Sequence, residues 1–251
     1  MQTPPSVPRE ARHLALEQIG EPGQARIGAG SVLIVGAGGI GCAVAQYLVA
    51  AGVGRVVLTD FDTVDPTNLA RQVLYGDADV GRSKVEVAAE KLRAQNPGAD
   101  IETIDRRLEG DELAEVVAAV DLVLDGCDNF ATRFAVSDAC VTAGKILVSG
   151  AAIRLEGQLA VFGPEYDTSP CYRCLYAEAD ESLENCAGNG VLGPVPGVIG
   201  TLMAVEALKL LAGIDVRTGR LWLFDAASGD VHSVAIDRRC AGRCDRRMTG
   251  T

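Results

Sequence analysis

The chain predicts an α/β fold: a mostly parallel sheet with helices on both faces, extended by antiparallel hairpins in the C-terminal half. Three observations predict it. Short runs rich in Val, Ile and Leu alternate with helical segments from residue 31 to 150. A glycine-rich turn joins the first such run to the first helix. After Ala151 the rhythm changes to alternating strands joined by short turns.

The elements follow in order. "SVLIVGA" reads as a buried strand, Ile40 to Ala51 as a helix closed by Gly52, and "GRVVLTD" as a second strand, which together make a βαβ unit. A helix from Ser83 to about Gln95, the strand "ADIETID", a helix from Asp111 to about Ala119 and the strand "DLVLDG" come next. A helix from Asn129 to Ala143 and the strand "KILVSGA" complete the parallel series. "AIRLEGQLAVFGPE" then reads as a hairpin, and a loop rich in Cys, Gly and Asn runs to about Gly190. "VIGTLMAVEALKLLAG" is a helix ending at Gly213, and "GRLWLFDAASGDVHSVAIDR" is a second hairpin turning at Gly229. No repeat or long linker interrupts the chain, so residues 1–251 read as one domain. It comprises a helical arm (1–30), a nucleotide-binding part (31–150) and a part for partner and metal binding (151–251).

Composition narrows the function classes. At 251 residues and 48% hydrophobic, the chain can bury a full core without help from disulfides or partners. A net charge of -11 argues against a nucleic-acid binder, because neutralising phosphates needs a basic face. No unbroken apolar run long enough to span a bilayer and no signal-peptide pattern is visible, so a cytoplasmic protein is expected. In a reducing compartment, the eight cysteines point to metal or chemistry rather than disulfides.

Gly36, Gly38 and Gly41 satisfy G-x-G-x-x-G between a strand and a helix, a Rossmann-like turn that lets backbone amides approach phosphates. Asp60, ending the second strand, is placed to accept from ribose hydroxyls of NAD, FAD or ATP alike. The residues that follow separate these readings. "DFDTVDPTNLARQVL" supplies Asn68, Arg71 and Gln72, and "GRSKVE" supplies Lys84. Two cations near a ribose-binding acid suit a triphosphate. "DLVLDGCDNFATRF" places Asp125, Asp128 and Asn129 at a strand end, where carboxylates are able to hold Mg²⁺. For any one of these charges, a solvated loop residue is the plain alternative; their joint placement at strand ends argues against it.

Cys171 and Cys174 form C-x-x-C, and Cys240 and Cys244 form C-x-x-x-C 66 residues further on. Four thiolates in two pairs are a donor set for one structural Zn²⁺, tying the C-terminal tail to the hairpin region. A redox C-x-x-C is the rival for the first pair, without the βαβ context it needs. Cys42, Cys127 and Cys140 read as small packing residues.

Together "GAGGIG", "DFDTVDPTNLARQ", "DGCDNFATR", "SGAAIRLEGQLAVF", "CYRCL" and "GVLGPVPGVIGTLMAVEALKLLAG" resemble the ThiF and MoeB type of sulfur-carrier-protein adenylyltransferases, bacterial relatives of ubiquitin-activating enzymes. The resemblance runs from Arg9 to Cys244. It implies Mg-ATP-dependent adenylation of the C-terminal glycine of a ubiquitin-like carrier ending in Gly-Gly, then thiocarboxylate formation with a sulfur donor protein. It implies Gly39 against the nucleotide, Asp60 on the ribose, Asn68, Arg71 and Lys84 on the phosphates, and Asp128 on Mg²⁺. It further implies a homodimer, with Arg12 of the Arg9/Arg12 pair reaching the phosphates of the other subunit. Cys186 stands where the thiamin branch has a cysteine that links to the carrier. The family usually has C-x-x-C as its second pair, so this chain departs by one residue.

Alternatives remain at this stage. A nicotinamide oxidoreductase explains the glycine turn and Asp60 but leaves Arg71, Lys84 and Asp128 unused. A non-catalytic scaffold does not need the nucleotide residues present here. An ATP-dependent tRNA-modifying dehydratase of related type sits poorly with the acidity and the four thiols. Between pathways, "VSGAAIRLEGQ" leans to molybdopterin and "ENCAGNGVLGPVPGVIG" to thiamin.

Overall fold

A computed structural model describes residues 7–176 and 190–239. Eight strands form one sheet: β1 (Ser31–Val35), β2 (Arg55–Thr59), β3 (Asp100–Ile104), β4 (Leu122–Asp125), β5 (Ile146–Ile153), β6 (Glu156–Phe162), β7 (Arg220–Asp225) and β8 (Asp230–Ala235). Their order is β3-β2-β1-β4-β5-β6-β7-β8. The first five are parallel and the last three antiparallel, as the alternation of strand and helix and then of strand and strand predicted.

Successive strand residues point to opposite faces, and both faces are covered. Val32 and Ile34 of β1 enter one core with Leu58 and Leu124; Leu33 and Val35 enter the other with Val57 and Val123. The first core packs under α3 (Gly39–Ala50), α4 (Lys84–Gln95) and the long C-terminal helix. The second packs under α5 (Gly110–Ala118) and α6 (Phe130–Ala143). The arm holds two short helices, α1 (Ala11–Leu14) and α2 (Gly20–Ala29), and α7 (Tyr172–Leu175) contains Cys174 with Cys171 as its N-cap residue.

Two boundaries differ from the linear reading. The strand "KILVSGA" does not end before the hairpin. β5 pairs with β4 through Ser149 and continues to Ile153 as the first arm of the hairpin with β6. Sequence pattern does not separate a strand paired on both edges from two strands in succession. The C-terminal helix α8 (Pro194–Ala212) begins four residues before the predicted Val198. Pro194 and Pro196 lie in its first turn, where their missing N–H groups have no intrahelical acceptor to lose.

At 19 residues, with mean hydropathy 1.6 over its best window, α8 has the length and composition of a membrane span. Its apolar residues Ile199, Met203, Ala204 and Ala207 are instead part of the first core. Gly200 allows close contact with α3, because a Cβ there would lie 2.4 Å from the Ile40 carbonyl oxygen.

Candidate functional site

The sheet's strand order reverses between β1 and β4, where β2 and β3 lie to one side and β5 to the other. In open α/β sheets this is where a crevice opens above the carboxyl ends of the strands. A cavity of about 390 Å³ lies there. It is lined by Val35 from β1, by Thr59 at the end of β2 with Asp60 to Asp62 after it, and by Gly126 to Asn129 after β4.

The glycine turn forms the cavity wall. Gly36 takes φ +91°, and Gly38 caps α3 without a side chain. A Cβ at Gly41 would sit 1.8 Å from the Gly36 carbonyl oxygen, so only glycine lets α3 rise this close to β1. Gly38 and Gly39 line the cavity, whereas Gly36 and Gly41 shape the turn behind it. The free N–H groups at the start of α3 carry the partial positive charge that suits a phosphate.

Asp60 stands opposite. Its Oδ2 accepts from the Ala37 N–H at 2.7 Å and its Oδ1 from the Asp62 N–H at 2.9 Å. Burial raises its pKa above the ordinary carboxylate value, and Lys84 and the two N–H donors pull the other way. Each oxygen keeps a further lone pair for a ligand hydroxyl.

Lys84 opens α4 with its side chain almost fully buried, and its Nζ donates to Asp62 Oδ2 at 2.8 Å. Arg71 donates to the Thr67 carbonyl at 3.1 Å and to Asn68 Oδ1 at 2.8 Å. Asn68 therefore does not line the cavity and orients Arg71 instead. Gln72 is 3% exposed and lines the cavity, and its Oε1 has no partner. A buried amide oxygen left unsatisfied costs about 1–3 kcal/mol.

Asp128 is exposed on the cavity wall. Asn129 lines the same wall, and its Oδ1 caps α6 by accepting from the Thr132 N–H at 2.9 Å. Asp125 is fully buried beneath them. Cys127, read as packing, lines the cavity too; burial, with Asp125 nearby, drives its thiol well above the ordinary range. Cys42 and Cys140 are buried as expected.

Several cavity residues escaped the linear reading. Arg133, Arg106 and Arg107 line it, with the Arg107 guanidinium 4.6 Å from the centre of the Phe61 ring. Ala151 to Ile153, Gln158, Tyr172 and Tyr176 line the cavity as well. There Gln158 and Tyr176 hydrogen-bond at 2.7 Å and 2.9 Å. Arg133 lay within the quoted "DNFATRF", and an arginine on an apolar helix face was the available signal.

Arg12 is exposed on α1 and does not line this chain's cavity. Cys171 and Cys174 are both buried, and burial beside Cys174 pushes the Cys171 thiol up to about 11. The Arg239 N–H donates to Cys174 Sγ at 3.3 Å, so the chain reaches the first pair immediately before Cys240. Cys186, Cys240 and Cys244 lie outside the described residues, and among the described residues no group of three metal-binding side chains occurs.

The architecture is similar to that of solved structures of E. coli MccB. The structure described as MccB with AMPCPP and MccA has a TM-score of 0.80 at 23% identity, covering 93% of this chain and 73% of that one. In sequence, the chain is 46% identical to mouse adenylyltransferase and sulfurtransferase MOCS3, over 92% of this chain and 50% of that protein. It is 47% identical to the bovine protein of the same name, over 97% and 54%. The chain thus spans about half the length of these relatives. It is 45% identical to the sulfur carrier protein adenylyltransferase of Thermus thermophilus, over 92% of this chain and 89% of that one. The ThiF family pattern matches residues 10–245. With the glycine turn, Asp60, Arg71 and Lys84 around one cavity, and this match across nearly its whole length, the chain belongs to the ThiF family.

Proposed function

We infer that the protein uses ATP to adenylate the C-terminal carboxylate of a small ubiquitin-like sulfur carrier ending in Gly-Gly. The observation that carries this reading is the grouping of Gly38, Gly39, Asp60, Arg71, Lys84 and Asp128 around one cavity. The names of the similar proteins support it. A nucleotide suits the cavity: Gly38 and Gly39 line it at the start of α3, Arg71 and Lys84 supply cations for the phosphates, and the orphaned Gln72 Oε1 is an acceptor for a hydroxyl or amino group of the nucleoside.

In this reading Asp60 accepts from the ribose, and Arg71 and Lys84 hold the phosphates. The part of the cavity along β5 and β6 receives the extended tail, where Gly157 lets β6 pack closely on α8 because a Cβ there would strike Ile199 at 2.5 Å. The tail's carboxylate oxygen bonds to the α-phosphorus, the bond to the bridging oxygen breaks, and pyrophosphate leaves. No general base is required, because a carboxylate is already ionised at neutral pH. Arg71 and Lys84 stabilise charge gathering on the leaving group.

Mg²⁺, when bound, screens the repulsion between carboxylate and triphosphate. Asp128 is the exposed carboxylate on the wall that would hold it, one protein oxygen with phosphates and waters being a usual Mg²⁺ set. The nearness of Arg239 to Cys174 supports a structural Zn²⁺ held by Cys171, Cys174, Cys240 and Cys244. Exposed Arg12, which does not line its own chain's cavity, is consistent with a homodimer in which it serves the partner's site. A sulfur donor protein would then act on the acyl adenylate, in the cytoplasm, with Cys186 as the thiol available for covalent transfer.

The test is carrier-dependent exchange of labelled pyrophosphate into ATP. Wild type should catalyse it, and Asp128→Ala should lower it about a hundredfold or more. Absence of exchange with every Gly-Gly carrier offered would refute the reading.

A further inference from the structure

Arg133 is a buried cation that the adenylation reading leaves without a task. It is 7% exposed on α6, one turn beyond the Asn129 cap. Its Nη2 donates to the Cys127 carbonyl and, at 3.0 Å, to the Gly150 carbonyl of β5. Burial opposes its charge, but Asp125 together with Cys127 and Tyr172 outweighs that and keeps the guanidinium protonated. Asp125, 0% exposed, in turn accepts the Cys127 N–H on Oδ1 at 3.0 Å. Its Oδ2 is 3.4 Å from the Ser149 hydroxyl.

Cys127 is thereby held at both of its backbone polar groups by opposite buried charges. A carboxylate takes its N–H and a guanidinium its C=O. Its carbonyl belongs to the peptide that leads into Asp128. The loop is wedged from the other side as well, because Gly36 lies so close that a Cβ there would meet the Cys127 Cα at 3.3 Å. Two backbone carbonyls and the neighbouring Tyr172 hydroxyl are a weak reason to keep a charge out of water, since burying one is costly unless it is fully compensated. Fixing the approach to Asp128 supplies a reason.

We propose that Arg133 is a positioning residue for metal binding: by anchoring the Cys127 carbonyl to β5, it sets the Asp128 carboxylate where it meets the Mg²⁺ of Mg-ATP. This rests on the assignment of Asp128 to the metal. In this proposal Arg133, although it lines the cavity, acts through Asp128, since its Nη2 is committed to the Cys127 and Gly150 carbonyls. Removing a partner that orients a metal ligand typically weakens metal affinity by about 10- to 100-fold.

The experiment compares wild type with Arg133→Gln and Arg133→Lys, each checked for folding by thermal melting. ATP binding is measured by calorimetry as a function of Mg²⁺, beside the Mg²⁺ dependence of pyrophosphate exchange. Arg133→Gln should raise the half-saturating Mg²⁺ about tenfold or more, leave metal-free ATP affinity unchanged, and add no further loss in an Asp128→Asn background. Arg133→Lys should recover part of the loss and remains informative should the glutamine variant not fold.

An unchanged Mg²⁺ requirement in a folded variant would overturn the proposal, as would a fully additive loss with Asp128→Asn. A rise confined to the carrier's KM would instead place Arg133 on the substrate tail and overturn it too. Because calorimetry needs no carrier, failure of the adenylation reading would appear separately, as wild type that binds Mg-ATP but exchanges no pyrophosphate.

Discussion

Lys84, with 5% of its side chain exposed, pairs at 2.8 Å with Asp62, of which 53% is exposed. The buried ammonium thus takes compensation from a partner that solvent reaches, at the wall of the candidate cavity. An arriving phosphate is able to take over the ammonium while Asp62 turns to water.

Asp62→Ala should therefore destabilise the free protein by about 1 kcal/mol or more, since it leaves a buried charge unpaired. Saturating ATP should restore much of that loss. Thermal melting with and without ATP measures both, and the nucleotide-induced rise in Tm should be larger in the variant than in wild type. An equal rise would mean that Lys84 does not exchange Asp62 for phosphate.

A pH dependence follows from Asp60. Its pKa is raised above 3.8, chiefly by burial. The native state therefore holds a proton more readily than the unfolded state, and the contribution of Asp60 to stability falls as pH rises from 3.8 through the raised value. In the proposed role, accepting from the ribose favours the ionised form, so nucleotide affinity should have the opposite trend. Affinity for a fluorescent ATP analogue should decline on acidification, starting above the ordinary aspartate range. Asp60→Asn should bind about tenfold or more weakly and lose that acid limb. Retention of the limb in the variant would assign it to another group.

Gly41→Ala should damage the fold itself. Its Cβ would lie 1.8 Å from the Gly36 carbonyl oxygen, so α3 must move off β1 or the turn must open. Either response should cost about 1–3 kcal/mol or more, as overpacking does, and lower nucleotide affinity in parallel. Chemical denaturation and analogue binding on the same sample read the two effects. Wild-type stability would show that the turn yields without strain.

Metal content tests the cysteine pairs. Purified protein should carry close to one zinc per chain, and Cys174→Ser should lose it and expose the C-terminal tail to proteolysis. The tail is the segment in view because Arg239 already meets Cys174. Metal-free native protein with all four thiols titratable would rule the staple out.

Ownership of the active site is open to a mixing experiment. If Arg12 serves the partner's site, inactive Arg12→Ala and inactive Asp128→Ala should complement when combined. Random exchange makes about half the dimers mixed, each with one intact site, so activity should approach about a quarter of wild type. No recovery despite demonstrated exchange would remove Arg12 from the partner's site.

The order of strands and helices through Ile146, the glycine turn and the placing of Asp60 at a strand end could all be read along the chain. Each is a local matter: strand and helix periods, and backbone demands that only glycine meets. The cation set Arg71 and Lys84 was also visible, as residue types close to Asp60 in sequence. Folding alone decided that Asn68 orients Arg71 rather than facing the cavity, that β5 runs unbroken into the hairpin, and that Arg133 from α6 clasps the Cys127 peptide against β5. These depend on which segments become neighbours once two cores close on opposite faces of one sheet. A buried charge such as Arg133 acquires its role only from the carbonyls and the carboxylate that the fold sets around it, and no spacing within "DNFATRF" encodes those partners.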